Sequence, residues 1–303
     1  MPRASNVQSS LTGISGILVT PFDGNDNIRP DLLAPIIDGA IVAGVHVLVS
    51  NGNTGEFSGL TMDEALEMVR KTAELVDRRA PLIGGVGRSV REACQLARTS
   101  KESGCDAIMV HQAPDPFVAP RGLKDYVSRI ADAADGLPLV LYIRNDAMGT
   151  NAIAELCAIP SVIGVKWATP NPQKLAEAMR ACDPSIMWVG GLAETWAPAL
   201  YAVGARGFTS GLINVWPQRS VEIHHALEQQ DYSKARELIE GMRAFEEVRA
   251  EEMGGANVSG VKAALKLLGN DCGHARPPAA WPLTRNQSEK IASLLSSAGL
   301  HPA

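Results

Sequence analysis

Val162-Ile163-Gly164-Val165-Lys166-Trp167 is an apolar run broken by a single lysine. Branched residues dominate it, and apolar and polar positions do not alternate. It therefore reads as a strand buried on both faces, the form strands take in a parallel sheet. Runs of the same character recur at 16–19, 46–50, 81–86, 106–110, 138–142, 186–190 and 205–209, which with 162–166 makes eight. Amphipathic stretches at 32–43, 61–78, 90–103 and 122–134 lie between them. Asp63-Glu64 and Arg78-Arg79 place charges of the favourable sign at the two ends of the second of these.

Eight strand–helix units over roughly the first 230 residues predict an α/β fold, a (β/α)8 TIM barrel. Helical patterns then follow at 219–229, 232–251, 261–268 and 286–297. The turn-like Gly254-Gly255-Ala256-Asn257 and the proline-rich Arg276-Pro277-Pro278-Ala279-Ala280-Trp281-Pro282 separate them. The expected organisation is a barrel core over 1–217 and a C-terminal helical extension over 218–303 packed on the same barrel. A doubly wound sheet is the alternative architecture, but no GxGxxG follows the first strand.

At 303 residues, 46% hydrophobic and 20% charged, the chain has the make-up of an ordinary globular protein with a large core. A net charge of -5, with basic residues dispersed, argues against nucleic acid or an acidic membrane as the main partner. The five cysteines (Cys94, Cys105, Cys157, Cys182, Cys272) are scattered without CxxC spacing, which fits reduced thiols and neither a disulfide framework nor a zinc site. Met1-Pro2-Arg3-Ala4-Ser5 leads into polar residues without an apolar signal core, and no apolar run approaches a membrane span. The expectation is a cytoplasmic enzyme with no membrane partner.

Lys166 is the one lysine inside a wholly apolar, strand-like run; others, such as Lys71, Lys101, Lys124, Lys174 and Lys234, fall among polar residues in helix-like segments. Desolvation of its ammonium lowers the pKa and leaves more free amine to act as a nucleophile. Tyr142 ends the preceding strand. Together they point to Schiff-base chemistry on a keto acid; a snorkelling lysine and a core tyrosine are the other readings. In a barrel of this kind the C-terminal ends of the strands build the active site. Those ends carry Thr20, then Gly52-Asn53-Thr54-Gly55-Glu56, then Tyr142, Lys166 and Thr209-Ser210-Gly211. The small residues and hydroxyl or amide donors of the second group suit a carboxylate.

Four further signals are weaker. Gly84-Gly85-Val86-Gly87-Arg88-Ser89 lacks a Walker lysine and reads as a tight βα turn. Gly190-Gly191 and Gly211 follow the last two strands, where many barrels bind phosphate, and support a phosphosugar isomerase as a rival reading. His111 follows strand four and suits a ligand or a base, but the several histidines and acids of a metal-dependent aldolase cannot be assembled at the strand ends, so no metal and no cofactor are expected. Glu56 reads as a helix-start or structural carboxylate.

Thr20-Pro21-Phe22, Gly52-Asn53-Thr54-Gly55-Glu56, Tyr142, Gly164-Val165-Lys166 and Gly207-Phe208-Thr209-Ser210, with Asn214 and Pro217 beyond, resemble in order and spacing the dihydrodipicolinate synthase / N-acetylneuraminate lyase family of class I Schiff-base aldolase-type barrels. The resemblance runs from about Gly13 to Leu268. It implies that Lys166 forms an imine with a 2-keto acid, that Tyr142 relays protons, and that Asn53 and Thr54 hold the keto-acid carboxylate. It also implies a homodimer or homotetramer.

The departures bear on substrate. Asn53-Thr54 stands where the synthases usually carry two threonines, and Ala147 stands where they place an arginine five residues after the tyrosine. The loop His111-Gln112-Ala113-Pro114-Asp115-Pro116-Phe117 lacks the further tyrosine of their relay. Tyr142-Ile143-Arg144 and Gly55-Glu56-Phe57 instead look like the family's keto-deoxyglucarate dehydratase branch. Arg144 suits the distal carboxylate of a sugar diacid, or else a salt bridge at a subunit contact. The expected function is a lyase, dehydratase or aldolase, acting on a sugar-derived keto-deoxy acid such as 5-dehydro-4-deoxyglucarate. The alternatives are 4-hydroxy-tetrahydrodipicolinate synthase, condensing pyruvate with aspartate semialdehyde, and a non-catalytic keto-acid-binding barrel.

Overall fold

In the computed structural model, which describes residues 3–302, eight parallel strands close into a barrel in chain order. They are β1 (Ile14–Ile17), β2 (Val47–Ser50), β3 (Leu82–Val86), β4 (Ala107–Val110), β5 (Leu139–Ile143), β6 (Val162–Trp167), β7 (Met187–Gly190) and β8 (Phe208–Ser210). All are buried along nearly their whole length, which is why their sequences show no alternation. Helices follow the strands, and the chain after β8 is helical. The (β/α)8 expectation holds, C-terminal helical part included.

Two compact units can be distinguished: residues 3–15, His46–Val49 and Val76–Thr209 in the first, and Gly16–Val45, Ser50–Leu75 and 210–302 in the second. In the first, Phe208 N donates to Gly13 O, and Gly207 makes this possible. Its φ of 84° lies in the left-handed region, and a Cβ there would collide with the carbonyl oxygens of Leu11 and Gly13. This constraint delays β8 to Phe208, later than the run at 205–209 suggests.

In the second unit Asn214 stands in for a missing stretch of sheet. Its Oδ1 accepts from Val19 N at 3.1 Å, and its Nδ2 donates to Ile17 O and Gly211 O, each at 2.8 Å. These backbone groups lie at the end of β1 and just past β8, and the Asn214 side chain satisfies all three. Asn214→Ala is expected to cost about 2–4 kcal/mol, because buried donors and acceptors lose their partner without gaining water. Urea melts of the two proteins measure this; a loss below about 0.5 kcal/mol would mean the backbone finds other partners.

Two helical expectations need correction, and one helix was not foreseen. The pattern at 232–251 is two helices, Tyr232–Glu240 and Arg243–Ala250, interrupted at Gly241-Met242. The helix expected over 61–78 ends at Val76, and Asp77 and Arg78 turn to positive φ, so Arg78-Arg79 lies outside its last turn. Arg3–Ser10 forms a helix that carries no apolar period and was not expected.

Candidate active site

The site begins with an irregularity in the sheet. β5 and β6 pair as Leu139↔Val162 and then Val140↔Gly164, so Ile163 is an extra residue in β6. Without that bulge Tyr142 would sit opposite Val165. With it, Tyr142 is opposite Lys166, and in-register neighbours project from the same face of a sheet. Gly164 permits the close passage: a Cβ there would lie 3.0 Å from Met187 O and 3.1 Å from Leu11 Cδ1.

Lys166 Nζ stands 4.2 Å from the centre of the Tyr142 ring, and the residue is only 4% exposed. Burial, reinforced by the positive charge of Arg144, pulls the ammonium from its ordinary value down to about 7. Among the described residues no carboxylate pairs with it. At neutral pH a large share of Lys166 is thus a free amine beside a phenol, an arrangement suited to nucleophilic attack on a carbonyl. On the outer side of β6, Trp167 meets Trp188 edge-on with ring centres 6.1 Å apart.

Arg144 follows β5 two residues beyond Tyr142, with Cζ 6.0 Å from the Tyr142 ring. Gln112 Oε1 accepts from its backbone N at 3.2 Å. The guanidinium is exposed, and among the described residues no carboxylate pairs with it; nearby Asp146 is engaged by Lys174 and Asn171. His111, at the end of β4, is buried with its ring edge-on to Tyr142, 5.6 Å between centres. Thus Lys166, Tyr142 and Arg144 are brought together, with His111 at their side. Thr209 is buried on β8 in the same unit.

The remaining candidates belong to the second unit. Thr20 Oγ1 donates to Gly55 O at 2.6 Å, tying the end of β1 to the loop after β2. Gly52 has Ile17 where a Cβ would go, Thr54 is buried, and Asn53 is half-buried. Ser210 Oγ lies 3.0 Å from Ser220 Oγ and accepts from Ile213 N at 3.2 Å, so local contacts occupy its hydroxyl. Glu56 is a structural carboxylate: it pairs at 2.7 Å with Lys262, a fully buried lysine, and accepts from Arg276 N. Lys262 went unnoticed in the sequence because its run Gly260-Val261-Lys262-Ala263-Ala264-Leu265 is helical rather than strand-like. Its apolar flanks were the available signal.

The glycine-rich segments serve packing. Ser89 and Glu92 form a capping box that occupies the helix N-terminus after Gly87-Arg88. Gly191 N donates to Trp167 O at 2.6 Å, and a Cβ at 191 would stand 2.8 Å from that oxygen. At Gly211 a Cβ would collide with the Arg249 guanidinium. Among the described residues no cluster of three or more His, Cys, Asp or Glu side chains is placed to hold a metal ion, and no helix is long and apolar enough to cross a membrane.

The sequence pattern of the Dihydrodipicolinate synthetase family matches residues 10–298, nearly the entire chain. The chain belongs to this family. It is a lyase of that family, and its relatives divide by activity. A 4-hydroxy-tetrahydrodipicolinate synthase from Thermodesulfovibrio yellowstonii is 30% identical over 288 residues, covering 93% of this chain and 97% of its own. A "Probable 5-dehydro-4-deoxyglucarate dehydratase" from Acinetobacter baumannii is 26% identical over 294 residues, covering 95% of each. Among solved structures, a prophage protein of the dihydrodipicolinic acid synthase family from E. coli K12, in complex with pyruvate, superposes with a TM-score of 0.85 at 26% identity over 95% of this chain and 98% of that one.

Proposed function

We propose that this lyase forms an imine between Lys166 and a 2-keto acid and eliminates water from a sugar-derived keto-deoxy diacid resembling 5-dehydro-4-deoxyglucarate. The observation that carries this reading is a buried lysine lowered to about 7, beside a tyrosine on the neighbouring strand. The amine attacks C2 of the keto acid; loss of water from the carbinolamine gives an iminium. That electron sink stabilises a carbanion at C3, from which a hydroxyl at C4 leaves. Tyr142 moves the protons these steps require. The carboxylate next to the imine falls to Asn53 and Thr54, the part the family resemblance implies for them. Within the proposal Gly52, Thr20, Thr209 and Ser210 are the remaining substrate-binding residues. The pyruvate bound by the E. coli relative supports the keto-acid class.

Arg144 supports the diacid. Its guanidinium projects near Tyr142 without a carboxylate partner among the described residues. An anionic tail on the substrate would complete it. Arg144→Ala is expected to raise KM for the diacid about tenfold or more while changing that for pyruvate little. Equal effects on both would remove Arg144 from substrate selection. The relative with the higher identity favours the synthase reading. Against it stand Ala147 in place of the arginine and a loop after β4 without tyrosine.

The decisive test is borohydride reduction in the presence of pyruvate, followed by peptide mapping. The increment is expected on the peptide that contains Lys166. Its appearance on another lysine peptide, or nowhere, would overturn the imine mechanism. Incubation with the keto-deoxy diacid, and separately with pyruvate plus aspartate semialdehyde, then separates dehydratase from synthase.

A further inference from the structure

Val110 on β4 pairs with Leu141 on β5, and Leu141 pairs with Val165 on β6. The next row of the barrel is therefore His111, Tyr142, Lys166, side by side across three adjacent strands. His111 N still donates to Val86 O at 2.8 Å, which holds its backbone in the sheet. The three side chains are buried, at 7%, 7% and 4% exposure. The Tyr142 ring lies between the other two: Lys166 Nζ is 4.2 Å from its centre, and the imidazole meets it edge-on at 5.6 Å. A tyrosine that must act as a base has to surrender its own proton first, and at neutral pH a phenol does not do so unaided. Imidazole is the side chain best matched to receive that proton.

We propose that His111 is the proton acceptor for Tyr142, so that the relay of this enzyme runs Lys166–Tyr142–His111 through one row of the barrel. The inference rests on the imine reading of Lys166. With the iminium formed, the phenol proton of Tyr142 passes to an imidazole nitrogen of His111, directly or through one water. The phenolate oxygen takes a proton from C3, and the C3–H pair becomes the C2–C3 double bond. The C=N π pair returns to nitrogen, leaving a neutral enamine, a neutral phenol and an imidazolium. The reverse transfers reprotonate carbon or the leaving oxygen. His111 acts through Tyr142 and is a positioning residue for proton transfer, not a group that touches substrate.

The test uses pyruvate and the full-length enzyme. Methyl hydrogen–deuterium exchange, followed by proton NMR in D2O, reports enamine formation, and borohydride trapping reports the imine. His111→Phe keeps an edge-on ring but has no nitrogen. It is expected to trap pyruvate at Lys166 as the wild type does while exchange falls about tenfold or more. His111→Ala should behave alike, and added imidazole should restore its exchange but not that of His111→Phe. Exchange in His111→Phe within about twofold of wild type would show that the ring only packs, and would overturn the relay. Loss of trapping in a variant with a normal thermal melt would overturn it too, because His111 would then serve imine formation. Should His111→Phe not fold, His111→Gln takes its place under the same criteria. Absence of trapping in the wild type would instead sink the imine reading.

Discussion

Lys166→Met is expected to abolish trapping by pyruvate and borohydride while making the fold more stable by roughly 2–4 kcal/mol at pH 7. The buried amine has its pKa pulled from 10.5 to about 7, so the unfolded chain binds a proton at neutral pH that much of the folded protein does not. That difference opposes folding. Because the folded value lies below the unfolded one, the penalty is complete below about pH 7, shrinks between about 7 and 10.5, and is gone above. Methionine fills nearly the same volume without a charge to desolvate. Denaturant melts of both proteins from pH 6 to 11 should show a gap that closes toward alkaline pH. A variant no more stable than wild type at pH 7 would mean that water or a counter-charge reaches Lys166, and the basis for its nucleophilicity would be gone. Stability given up at a reactive residue is the expected signature of a functional site.

The same residue shows how far the sequence carries. Both-face burial writes unbroken Val, Ile and Leu runs, so eight strands and their order were readable, with ends displaced by a few residues. Charge in an apolar run is chemically costly, and this made Lys166 conspicuous. The bulge at Ile163 was not readable, because nothing in a strand's composition reports which residue of the next strand it faces. Its consequence, Tyr142 beside Lys166 with His111 completing the row, depends on register, a property of pairs. The break at Gly241-Met242 was hidden for a similar reason: one glycine in a good helical pattern is tolerated unless packing demands a turn. Arg3–Ser10 gave no apolar period at all.

The second buried lysine obeys opposite logic. Lys262 is fully buried, donates to His274 O at 2.6 Å, pairs with Glu56 at 2.7 Å and lies 4.2 Å from the Phe22 ring centre. Arg276 Cζ also stands over that ring, at 4.1 Å, and its side chain pairs with Asp26 and Glu64. Burial lowers the Lys262 pKa, while the Glu56 carboxylate works against that and favours the charged form. Removing the carboxylate takes away the main effect that opposes burial. Glu56→Ala is expected to destabilise the protein by about 3–5 kcal/mol, the cost of a buried charge without its partner, and Arg276 N loses its acceptor as well. The double variant Glu56→Leu with Lys262→Met should recover most of that loss, since a well-packed apolar pair often matches a buried ion pair. Urea melts of Glu56→Leu, Lys262→Met and the double complete the cycle. If Glu56→Ala costs less than about 1 kcal/mol, the amine stays neutral or finds water, and the pair does not hold the segment around His274 and Arg276 in place. Trapping at Lys166 offers the complementary readout: an intact imine in a destabilised Glu56→Ala protein would show that its carboxylate secures the fold and takes no part in the chemistry.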